Sequence, residues 1–149
     1  MIMMMNHTVR RTLCFTLLFF VMLTIQAQTL KARDVFREMP DSILPYLTEN
    51  NRLDMLDFMD SHMKARVQNK FEGYSEMMTL TDDSLTIRMS SVLRLTLRLL
   101  SSATEVDGSR QVICLERTVG NSSEIKQTVC TFYSVLWRKM DKKDINLVK

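Results

Sequence analysis

Few residues in this chain could do chemistry, and their spacing limits what they can do. His62 is the one histidine that lies beyond the apolar leader described below. A zinc centre of the usual kinds needs several His or Cys ligands at short spacing, and neither Cys-x-x-Cys nor His-Glu-x-x-His occurs. A Ser-His-Asp relay built on His62 would have to be assembled in space, with no Gly-x-Ser-x-Gly elbow to present its serine. With three glycines in all, the common phosphate-cradling loops are absent. Asp54, Asp57 and Asp60 could serve acid/base work or calcium, but their spacing sets them along the wet face of an amphipathic helix. Met55, Met59 and Met63 could ligate a soft metal; at that same spacing they are better explained as core. No residue is therefore assigned as catalytic, as a metal ligand or as a cofactor contact, and no cofactor is expected.

Two groupings carry more information. Arg88, Arg94 and Arg98 recur at even spacing within apparent strands, which sets all three on one face. Arg88 then stands opposite Arg94, and like charges facing one another across strands destabilise a sheet. The compensation is either an acid such as Glu116 or an external anion, a phosphate or an acidic saccharide. Cys114 and Cys130 also share a face. They form either a disulfide, with a loop of about 15 residues worth about 3 kcal/mol in the chain-entropy model, or a pair of buried thiols acting as small apolar groups.

The elements that must position these residues follow from periodicity. Lys31 to Met39 offers a short helix with Val35, Phe36 and Met39 on one side, and Pro40 and Pro45 bracket a turn after it. A second helix is predicted over Arg52 to Ala65, with Asn51 as its N-cap and Met55, Leu56, Met59 and Met63 on the inner face. Gly73 to Asp83 reads as a loop-rich bridge. The period then changes from 3.6 to 2, giving strands at Leu85–Met89, Leu93–Leu99, Gln111–Val119 and Ile125–Trp137. A three-residue turn at Ser90, Ser91 and Val92 matches Ile87 with Leu95 and Leu85 with Leu97, which keeps apolar residues together. In the last hairpin, Ile113 and Leu115 share a parity with Val129, Tyr133 and Trp137, while Cys114 and Cys130 fall on the other face with Val112 and Phe132. Both faces of that hairpin are apolar, so it should be central in the sheet or covered on both sides by the helices, a partner subunit or missing sequence.

Ahead of all this stands a leader. Arg10 and Arg11 precede an apolar run from Leu13 to Ile25, and Ala27 ends it with a small residue. The run matches a signal-peptide core and is shorter than the roughly 20 apolar residues a membrane span requires. Cleavage after Ala27 is expected, with an uncleaved anchor as the alternative. The organisation is then a signal peptide at 1–27, a single domain at 28–140 and a polar C-terminal stub at 141–149. Contact with a membrane is expected only through the transient leader. Cys14 would leave with it, and Cys114 and Cys130 would reach an oxidising compartment. The 20 basic residues stand against 17 acidic ones, and losing Arg10 and Arg11 brings them nearly into balance. No basic excess of the kind that marks nucleic-acid binding remains.

The runs Met39 to Val67 and Ser75 to Ser90, continued by QVICLERTVG (Gln111 to Gly120) and TFYSVLW (Thr131 to Trp137), resemble a family of exported Bacteroidales proteins, domain of unknown function 3256, here with a shortened C-terminus. The resemblance implies export and carries no activity, cofactor or site residues. The expectation is an α+β domain: N-terminal helices packed on an antiparallel sheet of about four strands in two successive hairpins. Its expected role is that of an exported, non-catalytic interaction or assembly component of the bacterial cell envelope, periplasmic or associated with the outer membrane or cell surface. The alternatives are an enzyme acting on envelope polymers and a small-anion binder using Arg88, Arg94 and Arg98. The expected partner is an envelope protein or an anionic ligand, with the apolar last hairpin offering a route to an oligomer.

Overall fold

A computed structural model describes residues 29–120 and 127–148. The leader at 1–27 and the turn before Ile125 lie outside the described residues. Two helices, α1 (Ala32–Arg37) and α2 (Glu49–Asp60), precede seven strands: β1 (Arg66–Gln68), β2 (Tyr74–Leu80), β3 (Ser84–Arg88), β4 (Leu93–Val106), β5 (Ser109–Val119), β6 (Gln127–Ser134) and β7 (Lys139–Met140). The strands form one sheet in sequential order, and every neighbour pair is antiparallel. The α+β reading holds, but the expectation of about four strands is corrected to seven. The helices are not N-terminal in the sequence as given, because residues 1–28 precede them.

The layers follow from strand parity. Met77, Leu85, Ile87, Leu95, Leu97, Ile113 and Leu115 alternate inward and are almost completely buried, in one cluster with Val35, Phe36, Met55 and Leu56 from the helices. At about 1.5–3 kcal/mol for each fully buried large apolar side chain, this inner layer is the main source of the fold's stability. The other face of the sheet carries Arg88, Arg94, Thr96, Arg98, Glu116 and Thr118, all exposed or half-buried.

The β3–β4 hairpin adopts the register expected from its apolar pattern, with Ile87 opposite Leu95 and Leu85 opposite Leu97. Gly73 to Asp83, expected as a loop, instead contains β2. Its inward residue Ser75 is polar, and a bulge between Met77 and Thr79 breaks the alternation. Ser75 is fully buried because its Oγ donates to the Met89 carbonyl at 2.9 Å and accepts from Asn69 Nδ2 at 3.0 Å.

Helix α2 begins three residues earlier than the sequence suggests. Thr48 is its N-cap: Thr48 Oγ1 accepts from the Asn51 amide and Asn51 Oδ1 accepts from the Thr48 amide, both at 3.1 Å. Asn51 thus completes a capping box and is not itself the cap. The helix also ends early. The His62 amide donates to the Met59 carbonyl and the Met63 amide to the Phe58 carbonyl, a Schellman closure with His62 at φ 54° in the position glycine usually fills. Strand β6 likewise ends at Ser134, short of the Trp137 expected. Residues 141–148, expected as a polar stub, turn back onto the sheet: the Val148 amide donates to the Ser101 carbonyl at 3.0 Å and the Ala103 amide to the Asn146 carbonyl at 2.7 Å.

Candidate functional site

The open face of the sheet is built in rows. Strand pairing places Glu76, Arg88, Arg94, Thr118 and Thr128 side by side across β2 to β6. The next row holds Thr86, Thr96, Glu116 and Cys130; the one after holds Ser84, Arg98, Cys114 and Phe132. Arg88 does face Arg94, and Arg98 lies further along the same face.

The like-charge conflict is relieved unevenly. Glu76 Oε2 lies 2.7 Å from Arg88 Nη2 and 3.7 Å from Lys64 Nζ. Glu116 sits 3.6 Å from Arg98. Arg94 makes no ion pair among the described residues. Its guanidinium faces a groove of about 520 Å³ whose floor is Arg94, Thr96, Thr118 and Thr128, with the β3–β4 turn as one wall. Four further hydrogen bonds stiffen that frame. The Gly120 amide donates to the Val92 carbonyl at 2.9 Å, pinning the turn to the end of β5. Ser90 Oγ accepts from the Val92 and Leu93 amides at 3.3 and 3.1 Å. Thr118 and Thr128 share a hydroxyl hydrogen bond of 3.0 Å. A guanidinium beside hydroxyl donors is suited to an oxyanion, since charge-assisted hydrogen bonds are about twice as strong as neutral ones.

A second groove of about 390 Å³ adjoins it, lined by Lys64, Arg66, Tyr74 and Glu76, with Arg88 between the two. Arg66 stacks on the Tyr74 ring at 4.2 Å.

The perturbed titratable groups lie elsewhere. Hydrogen bonding from Arg52 holds the Asp41 carboxyl below its usual value, and Lys70 adds to the effect. The hydrogen bond from Arg33 to Asp60, at 2.6 Å, raises the guanidinium's affinity for its proton. Both are ion pairs around the helices, and neither lines either of these two grooves.

The remaining sequence candidates separate in space. His62 is exposed at the end of α2, and Asp54, Asp57 and Asp60 are exposed along that helix. Met55 is buried in the core, but Met63, expected there, is 58% exposed because the helix has ended before it. Among the described residues no group of three or more His, Cys, Asp and Glu side chains is placed to hold a metal. Cys114 and Cys130 lie on the open face with their sulfurs in bonding contact and their Cα atoms 6.2 Å apart. In register Cys114 faces Phe132 and Cys130 faces Glu116, so the two cysteines are diagonal neighbours. Glu76, Thr118 and Thr128 were not singled out from the sequence. Their even-numbered parity was the signal available, but the pairing that brings them to Arg94 required the strand order.

A family described as "Protein of unknown function (DUF3256)" matches residues 22–148. The structure is similar to one described as that of a domain of an uncharacterized protein from Porphyromonas gingivalis W83, with a TM-score of 0.60 and 22% sequence identity. The likeness covers 78% of this chain and 56% of that one, so this chain spans little more than half of its neighbour's length. At that identity it speaks for the fold alone. No curated protein matches the chain.

Proposed function

This chain belongs to the family described as a protein of unknown function (DUF3256), and from that premise and the groove we propose an exported, non-catalytic binding protein of the bacterial cell envelope that holds an acidic group of its partner against Arg94. The observation that carries the reading is the unequal pairing of the three arginines. Arg88 and Arg98 each have a carboxylate within 3.6 Å, whereas Arg94 faces a hydroxyl-lined groove with none among the described residues. The envelope location is supported by the Arg10–Ala27 leader.

The reading is tested by titrating the purified chain with inorganic phosphate and, separately, with polygalacturonate, and following thermal stability. A ligand that binds only the folded state raises stability as its concentration passes the dissociation constant. Arg94→Gln should cut the affinity about tenfold or more, as expected for losing hydrogen bonds to a charged group. Arg94→Glu should abolish binding. No stabilisation of the wild type by either anion, or equal stabilisation of the variants, rejects Arg94 as the contact.

A further inference from the structure

We propose that the outer edge of β6, from Gln127 to Thr131, pairs antiparallel with the same segment of a second copy of this chain, about a twofold axis at Val129. The inference is independent of the Arg94 reading.

Among the described residues, strand β6 has a neighbour on its outer side only at one end. Strand β7 is opposite Phe132 and Tyr133 and reaches no further. The Ser134 amide donates to the Arg138 carbonyl at 2.9 Å, which shows that this residue directs its backbone groups away from β5. Backbone direction alternates along a strand, so Thr128 and Cys130 also point theirs outward. Among the described residues nothing pairs with them.

Open edges invite pairing, and proteins usually block them with charges, prolines, bulges or brevity. The opposite edge of this sheet is blocked in that way. Strand β1 is three residues long and carries Arg66, with Lys64 and Lys70 close on either side. The free part of β6, Gln-Thr-Val-Cys-Thr, has no charge, no proline and no glycine, and three of its five residues are β-branched. With one edge open and the other blocked, pairing closes after two copies and cannot propagate as a fibre.

The segment is also self-complementary. Reflection about Val129 sets Thr128 opposite Cys130 of the second copy, and Cys130 opposite its Thr128. All four positions direct their backbone groups across the interface, so four main-chain hydrogen bonds form. Val129 then faces its own equivalent in a non-hydrogen-bonded position, where side chains approach most closely. Val129 is 52% exposed in the single chain and stands to gain burial there. Because each pair joins residues of like parity, the helical layers of the two copies stay on one side and the arginine faces on the other.

Sedimentation equilibrium of the purified chain should show a mass rising toward twice that of one chain as concentration increases. Val129→Lys and Val129→Glu each place like charges face to face at the axis. Each should weaken self-association by roughly a hundredfold through like-charge repulsion, while circular dichroism should show both variants still folded. An equimolar mixture of the two should restore the dimer, because lysine then meets glutamate. A wild type that remains a single chain at every concentration overturns the proposal, as does a Val129→Lys variant that dimerises like the wild type. Two monomeric variants whose mixture stays monomeric also overturn it.

Discussion

Arg52 is buried to 3% exposure on α2 and draws its compensation from one carboxylate, Asp41, 2.7 Å away. Its Nε has no partner among the described residues, so the pair with Asp41 carries the burden of neutralising it. A buried arginine is rare, and nothing in the local pattern separates Arg52 from the polar and charged residues around it. Its partner, eleven positions earlier, is brought near only by the Pro40–Pro45 turn. The pairing has a pH signature. The carboxyl of Asp41 is held below its unfolded value, chiefly by the hydrogen bond from Arg52. Its contribution to stability is therefore complete above the ordinary carboxylate range and is lost as pH falls through the lowered folded value. Asp41→Asn should melt earlier than the wild type at pH 7, and the two melting temperatures should converge under acid. Parallel curves down to pH 2 would show that Asp41 does not hold the arginine.

At the scale of elements, periodicity located the strands that alternate cleanly and missed those whose pattern is interrupted. Strands β3 and β4 were legible down to their register because apolar residues on both fix it. Strand β2 was not, since a polar buried Ser75 and a bulge hide its period. The β4–β5 pairing could not be read from its turn. Asp107 and Gly108, at φ 53° and 75°, form the tip between Val106 and Ser109. Continued without interruption from that tip, the ladder would set Arg94 opposite Asn121. The irregularity between Ser101 and Val106 shifts it, so that Arg94 meets Thr118. The groove therefore depends on a bulge that composition does not announce. The end of β6 is a similar case. Trp137, at φ 60°, leaves the strand path and aims its ring at α1, where Nε1 donates to the Val35 carbonyl at 3.0 Å and the ring lies 5.5 Å from Tyr133. Trp137→Phe keeps the apolar ring but orphans a buried carbonyl, at a cost of about 1–3 kcal/mol. Urea denaturation should report that loss as a lower midpoint with an unchanged slope; an unchanged midpoint would mean the hydrogen bond contributes nothing.

For the molecule as a whole, the two-layer plan was readable from the change of period along the chain, but what the layers leave uncovered was not. The helices cover one face of the sheet. Across the other, Cys114 and Cys130 would form the single covalent link among the described residues, joining β5 to β6 between positions 16 apart. Whether that link forms depends on the compartment, because thiols stay reduced in a bacterial cytosol and oxidise in the periplasm. The proposed export therefore makes a prediction that reaches from the leader to the sheet. Chain recovered from the envelope and denatured without reductant should show no reactive thiol, and two after reduction. Chain made in the cytosol without residues 1–27 should show two from the outset. Replacing Cys130 by Ser should lower the stability of the oxidised protein by about 3 kcal/mol, the chain-entropy value for a loop of this size, and leave the reduced protein nearly unchanged. The bridge also borders the open edge, since Cys130 is one of the two β6 residues whose outward backbone groups find no partner among the described residues. Linking it to β5 restrains that edge and limits the ordering that pairing with a second copy requires. Oxidised chain should therefore self-associate more tightly than reduced chain. Equal association in the two states would separate the disulfide from the interface.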